Sequence, residues 1–434
     1  MMKTDTLKFT TALARSWPAW LLLAGLAGCE LLRPLMPSPA PQAPTAAPAP
    51  PPATAGPATP PAPPAPPQPI VAMPFDEALL KATNDLFSKA PSAPEGGGRL
   101  TVVIDPLIDG LTGFQSLATR SMETRIIELV KASYPRFDVQ PFTAASVSRS
   151  PIVLVGTFTG VNTLGQTAGA REAFRICLAL ADLKSGKIVS KTRTFAQPGG
   201  VDITPSTYFR DSPAWAPDRV TDGYIKTCQA TKPGDPIDPV YWDRIVTSAL
   251  VSEAVTAYDN GKYRESLELY KSAQQTPAGD QLRVYNGIYL ASWKLGRRDE
   301  TAQAFGKIVD YGLANKRLAV KFLFRPGSTD FWPDPQLSGA YGIWIKEIGQ
   351  HTAQNAGCLE IVGHTSRTGP EPLNERLSLL RAEYVKDRLE RDAPLLKKRT
   401  ITNGVGSREN MVGSGTDDSR DALDRRVEFK VIGC

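Results

Sequence analysis

Histidine occurs twice and cysteine five times in 434 residues. No HExxH or CxxC spacing gathers ligands for a metal, no GxSxG or SxxK run presents an activated serine, and no cysteine stands beside a histidine. These absences leave a hydrolase or transpeptidase without recognisable machinery, and no cofactor or metal is implied. Charge of one sign is also lacking. Fifty Lys and Arg against 44 Asp and Glu give a net charge of +6, with the two signs interspersed, so there is no basic footprint for a nucleic acid. No apolar run is long enough for a permanent membrane span.

Proline, in contrast, is abundant, with 39 residues. Many lie between Arg33 and Pro69, in "PAPQAPTAAPAPPPATAGPATPPAPPAPPQP", a stretch with almost no charge and no apolar periodicity. It cannot bury a core. Polyproline II geometry advances about 3.1 Å per residue, so such a linker reaches on the order of 100 Å as a semi-rigid spacer. The other reading is a ligand for an aromatic groove on a partner. Ahead of it, Lys3, Lys8 and Arg15 precede the short apolar run Trp20–Leu26, the pattern of a signal peptide over 1–28. The run ends in Leu26-Ala27-Gly28-Cys29, which resembles the bacterial lipobox. The resemblance implies cleavage before Cys29 and acylation of its thiol, for example with palmitate. Glu30, not aspartate, follows, which implies an outer-membrane destination with the body facing the periplasm.

About 400 remaining residues suggest two to four domains. Residues 71–235 read as a mixed α/β domain after a linker over 29–70. A helix is expected over 75–90, then the strand Leu100–Ile104, a helix over 119–130, and strands in "RFDVQPF", "PIVLVGTF", "FRICLALADL" and "GKIVSKTRTF". Lys184-Ser-Gly-Lys187 turns the last two into a hairpin. The pattern looks somewhat like the small α/β domains of outer-membrane lipoproteins that activate wall synthases or build secretion assemblies. Excluding Cys29, four cysteines remain, an even number for an oxidising compartment, which suggests bridges Cys177–Cys228 and Cys358–Cys434. For the first pair the alternative is two free buried thiols.

Residues 236–317 read as helical, with an internal repeat: aligning Gly261 with Gly296, an offset of 296 − 261 = 35, also pairs Tyr270 with Phe305. The period resembles that of tetratricopeptide repeats, which implies either a concave face for a periplasmic protein partner or a spacer. Two such units rarely bury a core alone, so they are expected to pack on a neighbour.

From 318 to 434 the order is strand, helix, strand, helix, strand, strand. Gly363-His364-Thr365, then Asn374-Glu-Arg-Leu377-Ser378-Leu-Leu-Arg381-Ala382, then Arg425-Arg426-Val427-Glu428 resemble the OmpA-like peptidoglycan-associated domain. The whole is thus expected to be multidomain α/β plus α: a mixed α/β domain, two tetratricopeptide-like helix pairs and an OmpA-like βαβαββ sandwich. On a helical rotation of about 100° per residue, Leu373, Leu377, Leu380 and Tyr384 form one apolar arc and Ala382, Val385 and Leu389 another. Asn374, Ser378 and Arg381 fall in the gap between them, within the stripe expected to face the core. In the last strand Val427, Phe429 and Val431 alternate with Arg426, Glu428 and Lys430, which are expected to face solvent.

The resemblance implies binding of the diaminopimelate side chain of a peptidoglycan stem peptide, at a site drawn from Thr365, Ser366, Asn374, Leu377, Ser378, Arg381 and Arg425. An arginine takes the carboxylate, and Arg381 keeps that role. An aspartate in the fourth position of a GHTD run takes the ammonium, and here Ser366 stands in its place. A hydroxyl supplies about 0.5 to 1.5 kcal/mol against 1.5 to 3 for a charged partner, so weakened binding is expected unless another acid substitutes. The candidates are Asp330, in the loop after the first strand, and Glu371 and Glu375 at the start of the helix. His364 reads as structural. Two functional classes stay open: an envelope tether that binds the wall, and a scaffold or activator that has lost wall binding and recruits a secretion or wall-synthesis complex.

Overall fold

The computed structural model describes residues 69–90 and 98–434, apart from 150, 168, 215–216, 317, 319, 356, 413–414, 416 and 418–419. The expected signal peptide, Cys29 and nearly all of the expected linker lie outside the described residues. Ile152–Val161 has ten residues, all buried, with apolar side chains pointing both ways. A strand of this kind needs cover on both faces, and the surrounding elements supply it. The order is α1 (Phe75–Ser88), β1 (Leu100–Ile104), β2 (Ile108–Asp109), α2 (Leu117–Ser133), β3 (Phe137–Gln140), α3 (Ala144–Val147), β4 (Ile152–Val161), β5 (Ala173–Asp182) and β6 (Lys187–Ala196). The sheet runs β3-β1-β4-β5-β6, with β2 beside β4. β1 is parallel to β3 and β4, while β4, β5 and β6 form an antiparallel meander. Leu79, Leu86, Met122 and Ile126 of α1 and α2 pack on one face.

Side chains of α5 (Arg219–Gln229) and α6 (Pro239–Trp242), which follow the short α4 (Thr207–Asp211), cover the other. Cys228 of α5 faces Cys177 of β5 there, but both thiols are free, which corrects the expected bridge. Each thiol donates to the other residue's carbonyl, at 2.7 and 3.1 Å, so neither is left unsatisfied.

Next come two helix hairpins, α7 (Ile245–Asp259) with α8 (Tyr263–Gln274), and α9 (Leu282–Lys294) with α10 (Arg298–Ala314). Gly261 and Gly296 close the two turns with φ of 74° and 72°, a conformation that costs glycine little and other residues more. This is the physical source of the 35-residue periodicity. Tyr270 of α8 lies against Gly287 of α9, where a Cβ would meet the ring at 2.1 Å.

The C-terminal part contains β7 (Phe322–Leu323), α11 (Pro335–Ser338), α12 (Tyr341–Gln354), β8 (Cys358–Gly363), α13 (Glu371–Asp392), β9 (Thr400–Gly404) and β10 (Arg426–Ile432). The sheet order is β7-β10-β8-β9, with β8 parallel to β9 and β10 antiparallel to both β7 and β8. β7 is shorter than the expected strand. Val320 leaves the sheet to bridge Ala214, and Phe324 bridges Phe331. The register sets Cys358 opposite Ile432, and Cys358 and Cys434 are joined by a disulfide. Among the described residues no helix is long and apolar enough to cross a membrane.

The helix hairpins do not stand alone. Phe305 of α10 stacks on Trp344 of α12 with ring centroids 5.4 Å apart, and Trp344 Nε1 donates to Tyr289 of α9 at 2.8 Å. Lys321, just before β7, is buried against Phe114, its Nζ donating to the Ser212 carbonyl at 2.6 Å. Burial pushes its pKa down to about 7, with Asp211 opposing and Arg426 adding to the fall.

The Lys321 shift fixes a sign. Between about pH 7 and the normal lysine value the unfolded chain binds the extra proton, so this residue's penalty on stability shrinks as pH rises. Lys321→Met is expected to raise the thermal midpoint at pH 6, with the gain fading toward pH 10. For the disulfide, a closed loop with a sequence separation of 76 corresponds to about 4.5 kcal/mol of chain entropy. Cys434→Ser should lower the denaturant midpoint by a corresponding amount in oxidising buffer and change nothing in reductant.

Candidate functional site

Two glycines bring the site together. Gly363 ends β8 and Gly404 ends β9, paired in register, and α13 crosses directly over them. A Cβ on Gly363 would fall 1.8 Å from the Ser378 carbonyl oxygen, and one on Gly404 would fall 2.6 Å from the Leu379 nitrogen. This close approach presses the polar stripe of α13 against the sheet. Asn374, Ser378 and Arg381 are buried with Ala382, Val385 and Leu389. The expected leucine arc turns outward: Leu373 is 65% and Leu380 40% exposed, with Leu377 half-buried. Ser378 Oγ donates to the Glu375 carbonyl at 2.7 Å and accepts from Gly406 N–H at 3.0 Å, while Asn374 Nδ2 donates to the Gly369 carbonyl at 3.4 Å.

Arg381 has 0% of its surface exposed, and no carboxylate pairs with it among the described residues. Its Nε donates to the Ser328 carbonyl at 2.9 Å, one terminal nitrogen to the His364 carbonyl at 3.1 Å, and the other to the Arg325 carbonyl at 2.9 Å. Five N–H groups are available on a guanidinium, so one on each terminal nitrogen remains. The guanidinium carbon sits 5.3 Å from the Phe324 ring centroid. Burial, then the charge of Arg425, pull its pKa down to about 9, with Asp417 opposing, so it is cationic at neutral pH. Two of its three acceptors belong to the turn over 325–330, which Gly327 closes at φ 62°.

Ser366 is buried at the end of the motif, and its Oγ donates to Asp417 Oδ1 at 2.8 Å. Arg425, also buried, donates to the same oxygen at 2.7 Å and lies 5.3 Å from the Trp332 ring centroid. Asp417 was not among the residues expected here. Its only sequence signal is the acid-rich stretch before Arg425-Arg426, which holds Asp417, Asp418, Asp421 and Asp424. The acids that were expected are engaged elsewhere. Glu371 Oε1 accepts from Ser407 N–H at 2.9 Å, and Glu375 pairs with Arg408. Asp330 is exposed and supports the 325–330 turn through its backbone, its N–H donating to Ser328 Oγ at 2.9 Å. Thr365 is buried, with its N–H on the Gly406 carbonyl at 2.9 Å and its carbonyl accepting from Asn410 Nδ2 at 2.8 Å.

Beside the site, His364 Nε2 stands 3.2 Å from Glu428 Oε1, and Arg426 Nε donates to Glu428 Oε2 at 3.2 Å. The expected solvent exposure of Arg426 and Glu428 is thereby corrected: both are buried because they neutralise one another. Burial, then the Arg426 charge, push His364 down to about 4, leaving it neutral at pH 7. Burial alone would raise the Glu428 carboxyl, but Arg426 and His364 outweigh it and hold it at about 2. His364, Glu409 and Glu428 bring donor atoms within 4.8 Å of one another, yet the guanidinium on Glu428 makes this an ion-pair network and not a vacant cation cage.

Residues 323–423 match the model of the OmpA family, and the C-terminal part of the chain is an OmpA-family domain. Outer membrane protein Omp38 of Acinetobacter baumannii is 40% identical over 73 residues, 17% of this chain and 20% of that protein. Outer membrane porin F of Pseudomonas fluorescens is 33% identical over 103 residues, 24% of this chain and 31% of that protein. The chain thus spans at most 31% of the length of these curated relatives. Among solved structures, the peptidoglycan-associated lipoprotein from Burkholderia pseudomallei aligns at 18% identity and a TM-score of 0.23, covering 26% of this chain and 89% of that one.

If the glycine pair sets the approach of α13, Gly363→Ala should cost the C-terminal domain most of its stability, read as a lost or much lowered thermal transition. Gly342→Ala is the matched control. It lies in α12 with nothing within 4 Å of the added Cβ, and should stabilise by about 0.5 to 1 kcal/mol.

Proposed function

We propose that this chain is a non-enzymatic envelope protein whose OmpA-family domain holds the peptidoglycan stem peptide without covalent attachment. One observation carries the reading: Arg381 is a buried cation with neutral acceptors and, among the described residues, no carboxylate partner and two N–H groups to spare. A planar fork of this kind suits a carboxylate from outside the chain, and diaminopimelate offers one. Because the guanidinium is fully enclosed, the ligand carboxylate reaches it by taking the place of a carbonyl of the 325–330 turn. Such an exchange replaces a neutral acceptor with a charged one.

The rest of the chain fits a tether. Cys29 carries the lipid at the outer membrane, the proline-rich segment spans the distance to the wall, and the tetratricopeptide-like hairpins present their free faces to a periplasmic protein. The scaffold reading draws on a different observation, the enclosure of Arg381 and the serine at position 366, which together weaken wall binding.

Co-sedimentation of the lipid-free chain, from Glu30 onward, with purified sacculi separates the two. Arg381→Lys keeps the charge and loses the fork, and is expected to lower sacculus affinity about tenfold or more, since a charged hydrogen bond contributes roughly 1.5 to 3 kcal/mol and 1.4 kcal/mol is a factor of ten. A folded Arg381→Lys variant that sediments like the parent overturns the wall reading. A discrete periplasmic partner captured without any sacculus binding selects the scaffold.

A further inference from the structure

We propose that Asp417 supplies the cation-binding half of this site, so that the ligand is a zwitterion with its carboxylate on Arg381 and its ammonium on Asp417. This rests on the reading of Arg381 as a carboxylate receptor. Asp417 stands one hydrogen bond beyond Ser366, the residue that occupies the usual acid position. The acid function has moved from the motif to a loop 51 residues downstream, and the Ser366 hydroxyl now serves as a strut that orients it.

The carboxylate is spent on one side only. Ser366 and Arg425 both donate to Oδ1, while Oδ2 has no partner among the described residues. The Asp417 side chain is 27% exposed, against 1% for Arg425, so one oxygen is anchored in the protein and the other can meet a ligand. Its backbone is held as well. Asp417 adopts φ 56°, a left-handed conformation that aspartate tolerates better than most residues, and its N–H donates to Asp421 Oδ2 at 3.0 Å. Asp424 Oδ1 accepts from the N–H groups of Met411 and Val412 at 2.5 and 2.9 Å, fixing the start of the same loop.

Charge counting favours the same ligand. Arg425 is matched by Asp417, whereas Arg381 has no carboxylate partner among the described residues and carries the surplus charge of this pair of guanidiniums. A ligand carboxylate cancels the surplus. An ammonium on the same ligand would face two guanidiniums if Asp417 were absent, and like charges at close range in a buried site repel strongly. A plain carboxylic acid would need only Arg381 and would leave the open oxygen of Asp417 without a purpose.

The test compares two probes, a stem tripeptide ending in diaminopimelate and the same peptide acetylated on the diaminopimelate side-chain amine. The parent chain should prefer the free amine by about tenfold or more, as expected for a charged against a neutral hydrogen-bond partner. Asp417→Asn should bind the acetylated peptide as the parent does and lose the preference. Ser366→Asp added to Asp417→Asn returns an acid to the motif and should restore it. The proposal is overturned if Asp417→Asn still prefers the free amine, if it binds the free amine more tightly than the parent does, or if it binds neither peptide and Ser366→Asp restores nothing. Arg381→Lys is run alongside: unchanged affinity for both peptides there sinks the wall reading itself, whatever Asp417 does.

Discussion

A guanidinium enclosed by carbonyl oxygens governs the chemistry of the C-terminal domain. Desolvating a cation is expensive, and hydrogen bonds to neutral acceptors offset part of that cost while leaving the charge uncancelled. Arg381 is in this position because Gly363 and Gly404 let α13 descend onto the ends of β8 and β9. Had either glycine carried a side chain, the helix would ride higher and Arg381 would reach water. Asp417, whose charge acts on Arg381, pairs with Arg425 instead. Electrostatic demand for an anion is thus built into the backbone geometry, before any ligand arrives.

Periodicity made the elements legible. The ten apolar residues of β4, the hairpin between β5 and β6 and the paired glycines Gly261 and Gly296 each correspond to a local conformational preference that needs no tertiary knowledge. Where two solutions were locally equivalent, periodicity could not choose. On α13 either apolar arc could have faced inward, and the decision came from the absent side chains of Gly363 and Gly404, which lie on other elements. On β10 the alternation placed Arg426 and Glu428 in water, but each supplies the charge that allows the other to be buried, with His364 between Glu428 and the motif.

The site was half legible for the same reason. Arg381 announced itself as a cation within a helix stripe facing the core, a conflict visible within one element. Asp417 lies in a loop without periodicity, and its role arises only from meeting Ser366 across 51 residues of chain. The acids nearest in sequence, Glu371 and Glu375, were the natural candidates and are consumed by Ser407 and Arg408. Nearness along the chain is a poor guide to a charge whose partner is set by the fold. The thiols of Cys177 and Cys228 show the limit from the other side. The sequence could bring them together, as the structure does, but the spacing of two cysteines along the chain does not say whether their thiols are joined.

The helix hairpins and the OmpA-family domain share one continuous core, and this bears on how load on one would reach the other. Phe305 takes the place in the second hairpin that Tyr270 takes in the first, but no third unit follows to cover it. Trp344 of α12 does so instead, anchored by its hydrogen bond to Tyr289. The second hairpin is therefore capped by the OmpA-family domain, much as stacked repeats require a cap. Separating the two would expose Phe305 and Trp344 together. A pull on α13 through a bound ligand therefore meets this shared aromatic seam before it reaches the hairpins, and the hairpins hold a fixed relation to the site at which the chain would grip the wall.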